Sequence, residues 1–540
     1  MLWREIGGTP ARNRKPLHQL FDFRRSRPTS FFMRYSSVIF GALGLSGNFV
    51  DAASTLLSGG TIIAWDDSAN YLKIIRNGSV LVTDDRIASV NANPQPSELP
   101  PGTEVVDISN QILTPGFVDT HRHGWQTVFK TIASNTSLTE YFSRYGEFVA
   151  ADKFTADDVY ISQLAGLYEA MNGGVTTLLD HASHTWSAST SYAGFNASID
   201  SGARVFWAFT FHNITSLNYT ASDQIPLFRE IATNKEALVG DSPTELGVAY
   251  DFWGPNPNVN EAQGIADLIK EFNVSVMTTH SLAGPWAISN LPSEVQRFGI
   301  LNGTVPIVFS HSSFITADDV QLLRSTNQYI SITAESEMQY GHGHPHSYDI
   351  QDQAALGIDT HFTYSSDILT QARMWLQSVR HHFYNQVLEN WRVPTYSPMT
   401  VNQAFLLATG SGGLALRRPD LGVIKPGAKA DLVVWDAENS PSMLGWDDPV
   451  AAIIMHANVG DVLHVLVDGK FVKRDGKIVN NDYPNIRREF LKSAKKIQSI
   501  WKQTPYPTYE GEYSSGYGYG TPLTVDVQRG KDTGYGTQFL

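Results

Sequence analysis

Two histidines separated by a single residue, His121 and His123, follow an apolar run at residues 112–120. Side chains at positions i and i+2 of a β-strand project to the same side of the sheet, so the two imidazoles can face one point. Two adjacent imidazoles repel each other once protonated, and a divalent cation is the natural group to hold them together. The spacing by itself fits a metal site and a surface loop with incidental histidines equally well.

Three later apolar runs also end on side chains that bind metals. His280 ends residues 274–280, His311 ends residues 305–311, and Asp359 lies in the short run 357–360. The chain has 16 histidines and no cysteine, so any metal site must be built from imidazoles and carboxylates. Repetition of such side chains at the ends of apolar runs favours a metal centre over the incidental alternative.

These runs belong to a series of eight β-like segments separated by helical stretches, at residues 112–120, 175–180, 205–211, 246–252, 274–280, 305–311, 329–334 and 357–360. Apolar strands that alternate with helices are typical of a parallel sheet covered on both faces. The series predicts an α/β fold with a (β/α)8 TIM-like barrel over residues 112–416. The active site of such a barrel lies at the carboxyl ends of its strands.

Short β segments separated by glycine turns flank the predicted barrel, at residues 55–111 and 417–482. They predict one small β-sandwich domain built from both flanks. Residues 483–540 follow, as a C-terminal helix and a tail rich in tyrosine and glycine. We expect this tail to form an extended or disordered arm, with contact to a second subunit as an open alternative.

Residues 1–54 form a predicted leader. Counted from Met33, a short basic region, an apolar region and small residues resemble a secretory signal peptide. Counted from Met1, the basic start resembles a mitochondrial presequence or an upstream start that is not used. Secretion is favoured, and a cytoplasmic protein is the alternative if the leader is not used. The apolar region is too short for a stable membrane span.

Composition narrows the partners of this 540-residue chain. Hydrophobic residues make up 42% of it, enough for a large core, which excludes global disorder. The formal net charge of −13 argues against general binding to nucleic acid. The predicted partner is a small-molecule substrate.

Residues 58–475 resemble the amidohydrolase superfamily, in the branch with cytosine and guanine deaminases, methylthioadenosine deaminase and triazine hydrolases. The matching segments are residues 115–123, 174–177 and 425–434, together with His280, His311 and Asp359. The resemblance implies that one Zn or Fe(II) ion per chain is bound by His121, His123, His280 and Asp359. It also implies that His311 polarises the substrate or the water. Members often form homodimers or larger homo-oligomers, so such assembly is open here.

The sequence departs from this branch at one position. Its deaminases carry a proton-shuttling glutamate three residues after the histidine of strand five, and Ala283 stands there in this chain. A general acid–base typically contributes about 10²–10⁴-fold to the rate, so a replacement is expected. Glu335 and Glu337, at the end of the predicted seventh strand, are the candidates; the alternative is that both are solvated loop acids.

Three further side chains near strand ends are candidates for contact with substrate: Trp125, His181 and His342. For Trp125 and His181 the alternative is plain packing. His342 belongs to a histidine-rich loop at residues 341–346, where glycine and proline make a rigid second metal site the weaker interpretation.

Together these observations predict a metal-dependent amidohydrolase in which hydroxide attacks a C–N bond of a ring amine, cyclic amide or related secondary metabolite. One alternative is a metal-dependent decarboxylase or C–C hydrolase of an aromatic acid, which the missing glutamate makes less remote. The other is a catalytically silent barrel that only binds. The complete ligand set argues against a catalytically silent protein, because burying unpaired imidazoles and a carboxylate costs folding free energy.

Overall fold

The computed structural model describes residues 54–343, 346–514 and 516–522. The predicted leader, except Ser54, and the end of the tail lie outside the described residues.

Eight parallel strands of the described chain form one sheet, in which neighbours in sequence are neighbours in space. They are β1 (Phe117–Arg122), β2 (Val175–Ala182), β3 (Arg204–Phe211), β4 (Glu245–Tyr250), β5 (Met277–Ser281), β6 (Ile307–His311), β7 (Tyr329–Ile332) and β8 (Ala354–Leu356). The two ends of the sheet meet through a bridge between Arg122, at the end of β1, and Asp359, three residues after β8. The backbone N–H groups of Ile358 and Asp359 also donate to the carbonyl of His121, at 3.0 and 2.8 Å. The sheet is therefore the nearly closed barrel that the sequence predicted.

Two of the predicted barrel strands need correction. Residues 112–120 are not one strand, because Ile112–Pro115 pairs in a different sheet and β1 begins at Phe117. The break falls at Gly116, where a Cβ atom would lie only 2.0 Å from Thr176 Oγ1. The last strand is Ala354–Leu356 rather than residues 357–360, since Asp359 has a φ of +67° and cannot continue an extended strand.

Helices surround the barrel and bury one face against it. Many begin at a capping box, in which a serine or threonine side chain accepts from the helix and the third helical residue reaches back, as with Thr155 and Asp158. The α-helices of the described chain span Leu138–Arg144, Glu147–Ala150, Ala156–Asn172, Ala188–Ser201, Ala221–Thr233, Lys235–Val239, Val259–Phe272, Pro292–Gln296, Ala317–Thr326, Ala334–Tyr340, Ile368–Leu388, Val401–Ala408, Gly410–Ala415, Pro449–Ala451 and Tyr483–Gln503.

Both flanks of the barrel contribute to one mixed sheet. Its strands in the described chain are Ser54–Asp66, Tyr71–Thr83, Arg86–Asn91, Glu104–Asp107, Ile112–Pro115, Leu432–Trp435, Val462–Val467, Lys470–Arg474 and Lys477–Ile478. Antiparallel pairing of Ile112–Pro115 with Leu432–Trp435 joins the two flanks. The two flanks therefore form one continuous hydrogen-bonded sheet. A buried ion pair between Arg204 and Asp431, at 3.0 Å, links this sheet to β3.

The C-terminal helix Tyr483–Gln503 packs on the barrel through its buried Ile497 and Trp501 side chains. The tail beyond it folds back on its own chain and forms a short hairpin of Glu512–Ser514 and Tyr517–Gly518. Within the described residues, we find no helix with the length and apolar character to cross a membrane.

Candidate active site

Three imidazoles converge at the carboxyl end of the barrel. His121 lies near the end of β1, His123 directly follows this strand, and β5 brings His280 beside them. The ring centroids of His121 and His123 are 4.9 Å apart, and those of His121 and His280 are also 4.9 Å apart. One ring nitrogen from each of the three lies within 4.8 Å of the others, a spacing that a single ion can span.

The hydrogen bonds of the rings show which nitrogen of each carries a lone pair. His123 Nδ1 lies 3.1 Å from the carbonyl oxygen of His181, which only accepts, so Nδ1 must donate. His280 Nδ1 donates in the same way to the carboxylate of Asp251, at 2.7 Å. The Nε2 atoms of His123 and His280 face each other at 3.2 Å, and in neutral rings both of these atoms carry lone pairs. Without a metal, burial acts to lower the pKa of His280, but the Asp251 carboxylate outweighs burial and raises that pKa to about 9, so a proton can lie between the two rings. A bound cation can take the place of that proton, so the donor set fits a metal.

His121 and Asp359 complete the donor set. His121 Nδ1 lies 2.8 Å from Ser310 Oγ, and its buried Nε2 has no hydrogen-bond partner among the described residues. Asp359 Oδ1 lies 3.5 Å from that Nε2 atom and 3.3 Å from His123 Nε2. Burial acts to raise the pKa of Asp359, but its contacts with His121, His123 and His311 outweigh burial and hold that pKa well below its ordinary value. The site therefore offers imidazole nitrogens and an ionised carboxylate, which suits a divalent ion.

A buried ion pair between Asp119 and Arg122 lies next to the backbone that carries this donor set. Asp119 and Arg122 form a 2.7 Å contact in which both side chains have 0% exposure. The free carboxylate oxygen of Asp119 accepts the backbone N–H groups of His121 and Ile358, at 3.2 and 3.0 Å. Asp119 thereby fixes the strand that carries His121 relative to the turn that carries Asp359.

Asp251, which follows β4, was missed by the sequence analysis. Its carboxylate accepts the backbone N–H of His280 at 2.7 Å as well as the ring Nδ1–H, and it lies 3.3 Å from His181 Nε2. Burial acts to raise the pKa of Asp251, but the rings of His280 and His181 hold it well below its ordinary value. A carboxylate behind an imidazole fixes the tautomer and orientation of that ring. Its place just after a strand end was the signal that could have revealed it.

His311 ends β6 in a strained conformation, with a φ of +72°. Its Nδ1 lies 2.9 Å from Thr333 Oγ1 and 3.3 Å from Glu337 Oε1. Glu337 Oε1 in turn accepts the backbone N–H and the hydroxyl of Thr333, at 2.8 and 2.9 Å. His311 Nε2 is turned towards Asp359 Oδ2, at 4.0 Å. Of the two glutamates considered from the sequence, Glu337 therefore contacts the site through His311.

Glu335 points elsewhere, although it follows the same strand. Its carboxylate accepts from the side chain of Gln371 at 3.2 Å, and it is not among the described residues that line the cavity. Burial and the nearby Asp367 carboxylate raise the pKa of Glu335 to about 7. Because Ala334–Tyr340 is a helix rather than a strand, residues two apart do not share a face, so Glu335 and Glu337 have different surroundings.

The three predicted substrate contacts lie at different depths. Trp125 is fully buried, donates from its indole N–H to Ser183 Oγ at 3.1 Å and packs on Trp186, away from the described cavity lining. The expectation that Trp125 contacts substrate is therefore wrong. His181 is also buried, behind Asp251 and His280, and burial lowers its pKa to about 4. His342 does line the cavity, with its ring centroid 4.7 Å from that of His311.

A cavity of about 360 Å³ opens above the donor set. His123, His280, His311 and Asp359 lie at its floor. Its walls are largely apolar or aromatic and are formed by Leu138, Tyr141, Phe142, Phe148, Phe252, Leu282, Ile288, Tyr340 and Tyr513. Among the described residues that line it, the carboxylates Glu147, Asp251 and Asp359 are present, and there is no lysine or arginine. Such an enclosed apolar space with polar groups at one end is typical of a small-molecule site.

Glu147 is the second cavity residue that sequence analysis missed. It begins the short helix Glu147–Ala150, and its Oε1 lies 3.6 Å from His212 Nδ1. Burial acts to raise the pKa of Glu147, but the contact with His212 lowers it below its ordinary value. Glu147 follows no strand end and belongs to no motif, because it lies in the segment between β1 and β2.

Comparisons with known proteins agree with this architecture. The chain is 23% identical over 462 residues to the 5-methylthioadenosine/S-adenosylhomocysteine deaminase of Caldicellulosiruptor saccharolyticus, an alignment that covers 82% of this chain and 98% of the relative. A zinc-bound adenosine deaminase from Xanthomonas campestris superposes with a TM-score of 0.70 at 16% identity, covering 82% of this chain and 98% of that one. A zinc complex of atrazine chlorohydrolase from Arthrobacter aurescens gives 0.67 at 16% identity, covering 82% and 100%.

The model of the Amidohydrolase family matches residues 112–472, which include every donor described above and more than half of the chain. The chain therefore belongs to the amidohydrolase family.

Proposed function

We propose that the protein is a mononuclear metal-dependent hydrolase that releases an amine from an electron-poor carbon of a ring amine or cyclic amide. The observation that carries this proposal is the grouping of ring nitrogens of His121, His123 and His280 within 4.8 Å of one another at the end of an apolar cavity. The Asp359 carboxylate lies beside this group, 3.5 Å from His121 Nε2 and 3.3 Å from His123 Nε2. Homologues that share this fold are named as deaminases of 5-methylthioadenosine and 5'-deoxyadenosine, which are hydrolases of C–N bonds other than peptide bonds.

His121, His123, His280 and Asp359 would hold one divalent ion per chain. Zinc is supported by the zinc-containing structural neighbours, and Fe(II) suits the same donors. When bound, such an ion supplies Lewis-acid activation of water. Asp251 keeps the Nε2 lone pair of His280 directed at the ion by holding Nδ1–H, and the carbonyl of His181 does the same for His123.

Asp359 and His311 are suited to move the protons of the reaction. Water adds its oxygen to the ring carbon and the C–N bond breaks, so the departing nitrogen must gain a proton that the water loses. Asp359 Oδ2, which accepts from the Ser336 hydroxyl, and His311 Nε2 are 4.0 Å apart and both face the cavity floor. Glu337 beside His311 Nδ1 stabilises the imidazolium form that carries the proton. This pair takes over the task of the glutamate that Ala283 replaces.

The charges of the cavity favour a neutral or cationic substrate. Glu147, Asp251 and Asp359 line it, and none of the described lining residues is a lysine or arginine that would bind a carboxylate or phosphate. The aromatic-acid decarboxylase alternative needs a carboxylate seated among these acids, so it is disfavoured.

The test is hydrolysis by metal-loaded protein. Zinc-reconstituted protein is assayed for ammonia release from heteroaromatic amines and for ring opening of cyclic amides. His121→Ala and Asp359→Asn serve as inactive variants and Asp447→Asn as a control, because the side chain of Asp447 is fully exposed. We expect hydrolysis of at least one of the two classes, which the two site variants lose and the control retains. Carbon dioxide release from aromatic acids, or activity that survives both site variants, would contradict the proposal.

A further inference from the structure

The residues that follow the C-terminal helix are fixed to the mouth of the barrel. We call residues 504–514 and 516–519 the C-terminal arm. The guanidinium of Arg144 donates to the carbonyl oxygens of Thr504 and Pro505, at 2.8 and 2.6 Å, and lies 3.8 Å from the ring centroid of Tyr506. Farther along, the hydroxyl of Tyr509 donates to the carbonyl of Thr139 at 3.4 Å. Both anchors belong to Leu138–Arg144, a helix that itself forms part of the cavity wall.

The hairpin of the arm brings Tyr513 into the cavity lining. The ring of Tyr513 meets Trp286 edge to face, with centroids 5.6 Å apart, and Tyr519 packs against it from the other strand at 6.1 Å. Aromatic contacts of this kind hold a ring in place without a polar constraint. Tyr513 is thus a supported aromatic surface that faces the substrate space.

The arm lies outside residues 112–472, the segment that the family model matches. The barrel strands supply the reacting end of the site, whereas part of the wall of the cavity comes from a segment outside that match. The geometry points to the C-terminal arm as a selector of substrate, in which Tyr513 packs on an apolar or aromatic substituent of the ring that reacts at the cavity floor. This inference rests on the proposed function for the nature of the reacting ring.

Binding of two probes tests the inference without the need for turnover. Adenine is a compact ring amine, and 9-benzyladenine is the same ring with an aromatic extension. Their dissociation constants are measured by calorimetry on zinc-loaded wild type, Tyr513→Ala, Tyr513→Phe and Tyr517→Ala. Tyr517→Ala is the matched control, because Tyr517 belongs to the same hairpin and is 47% exposed. We expect the wild type to bind the benzyl derivative about tenfold more tightly than adenine, which is the scale of one well-packed aromatic contact.

Tyr513→Ala should abolish this preference, and Tyr513→Phe and Tyr517→Ala should retain it. A preference that survives Tyr513→Ala, or a wild type without one, would overturn the inference. Hydrolysis of ring amines and cyclic amides reports separately on the proposed function. A preference that depends on Tyr513 in a protein that hydrolyses neither class would contradict the function and leave the arm's role standing.

Discussion

Replacing Glu337 by glutamine separates the charge of this residue from its shape. Gln Oε1 can still accept the backbone N–H and hydroxyl of Thr333, which Glu337 Oε1 accepts at 2.8 and 2.9 Å, so the start of the helix Ala334–Tyr340 is kept. The negative charge 3.3 Å from His311 Nδ1 is lost. We therefore expect a protein that folds and binds metal normally but transfers protons poorly.

The distance sets the size of the effect. Opposite unit charges 3.3 Å apart attract by about 5 kcal/mol at an effective dielectric constant of 20. If about a third to a half of this attraction stabilises the transition state, the barrier rises by roughly 1.5–2.5 kcal/mol. That increase corresponds to a kcat lower by roughly 10- to 100-fold. KM should change little, because Glu337 lies behind His311 and is not among the described cavity-lining residues.

The assay is steady-state ammonia release, with metal content and Tm measured on the same samples. Glu335→Gln is the matched control, since Glu335 follows the same strand but contacts Gln371, and it should keep the wild-type kcat. An unchanged kcat in Glu337→Gln, or an equal loss in both variants, would refute the role given to the His311–Glu337 pair.

Three further perturbations test the supporting groups. Asp251→Asn removes the charge that fixes His280, so metal affinity measured by chelator competition should fall about 10- to 100-fold, and an unchanged affinity would argue against this orienting role. Asp119→Ala leaves the buried Arg122 charge unpaired and should destabilise the fold to urea by about 3–5 kcal/mol, whereas Asp447→Ala, at a fully exposed side chain, should not. The folded pKa of Glu335, about 7, lies above its ordinary value of 4.5, so the native state binds more protons than the unfolded state between these values and stability should fall as pH rises through them. This loss of unfolding free energy is at most about 3 kcal/mol and is reduced because the carboxylate is partly exposed. Urea titrations at several pH values should show the loss in the wild type and not in Glu335→Gln. The same pH dependence in both proteins would count against this assignment.

The barrel was accessible from the sequence because it depends on a local pattern, a series of apolar runs between helices. The polar ends of these runs indicated His121, His123, His280, His311 and Asp359 as candidates, and the resemblance to a family implied which of them would bind a metal. The strand boundaries were less accessible. Residues 112–120 form one apolar run, but the part before Gly116 pairs in the mixed sheet and the part after it pairs in the barrel. An apolar pattern does not indicate which strand a segment will pair with.

The surroundings of the donors depended on tertiary contacts that sequence does not show. Trp125 and Glu335 each follow a strand end, yet a turn of helix directs Glu335 to Gln371 and an aromatic cluster encloses Trp125. Conversely, Glu147 lies in a short helix between β1 and β2, and Tyr513 lies in the C-terminal arm. No periodic pattern in either segment indicates that these side chains line the cavity.

The most direct test of the metal centre is anomalous diffraction from crystals of the zinc-loaded protein, recorded on both sides of the zinc edge. The account predicts one anomalous peak per chain within about 2.0–2.2 Å of the Nε2 atoms of His121, His123 and His280 and of an Asp359 carboxylate oxygen. A peak held instead by His181 and Asp251, or no peak within reach of Asp359, would contradict it.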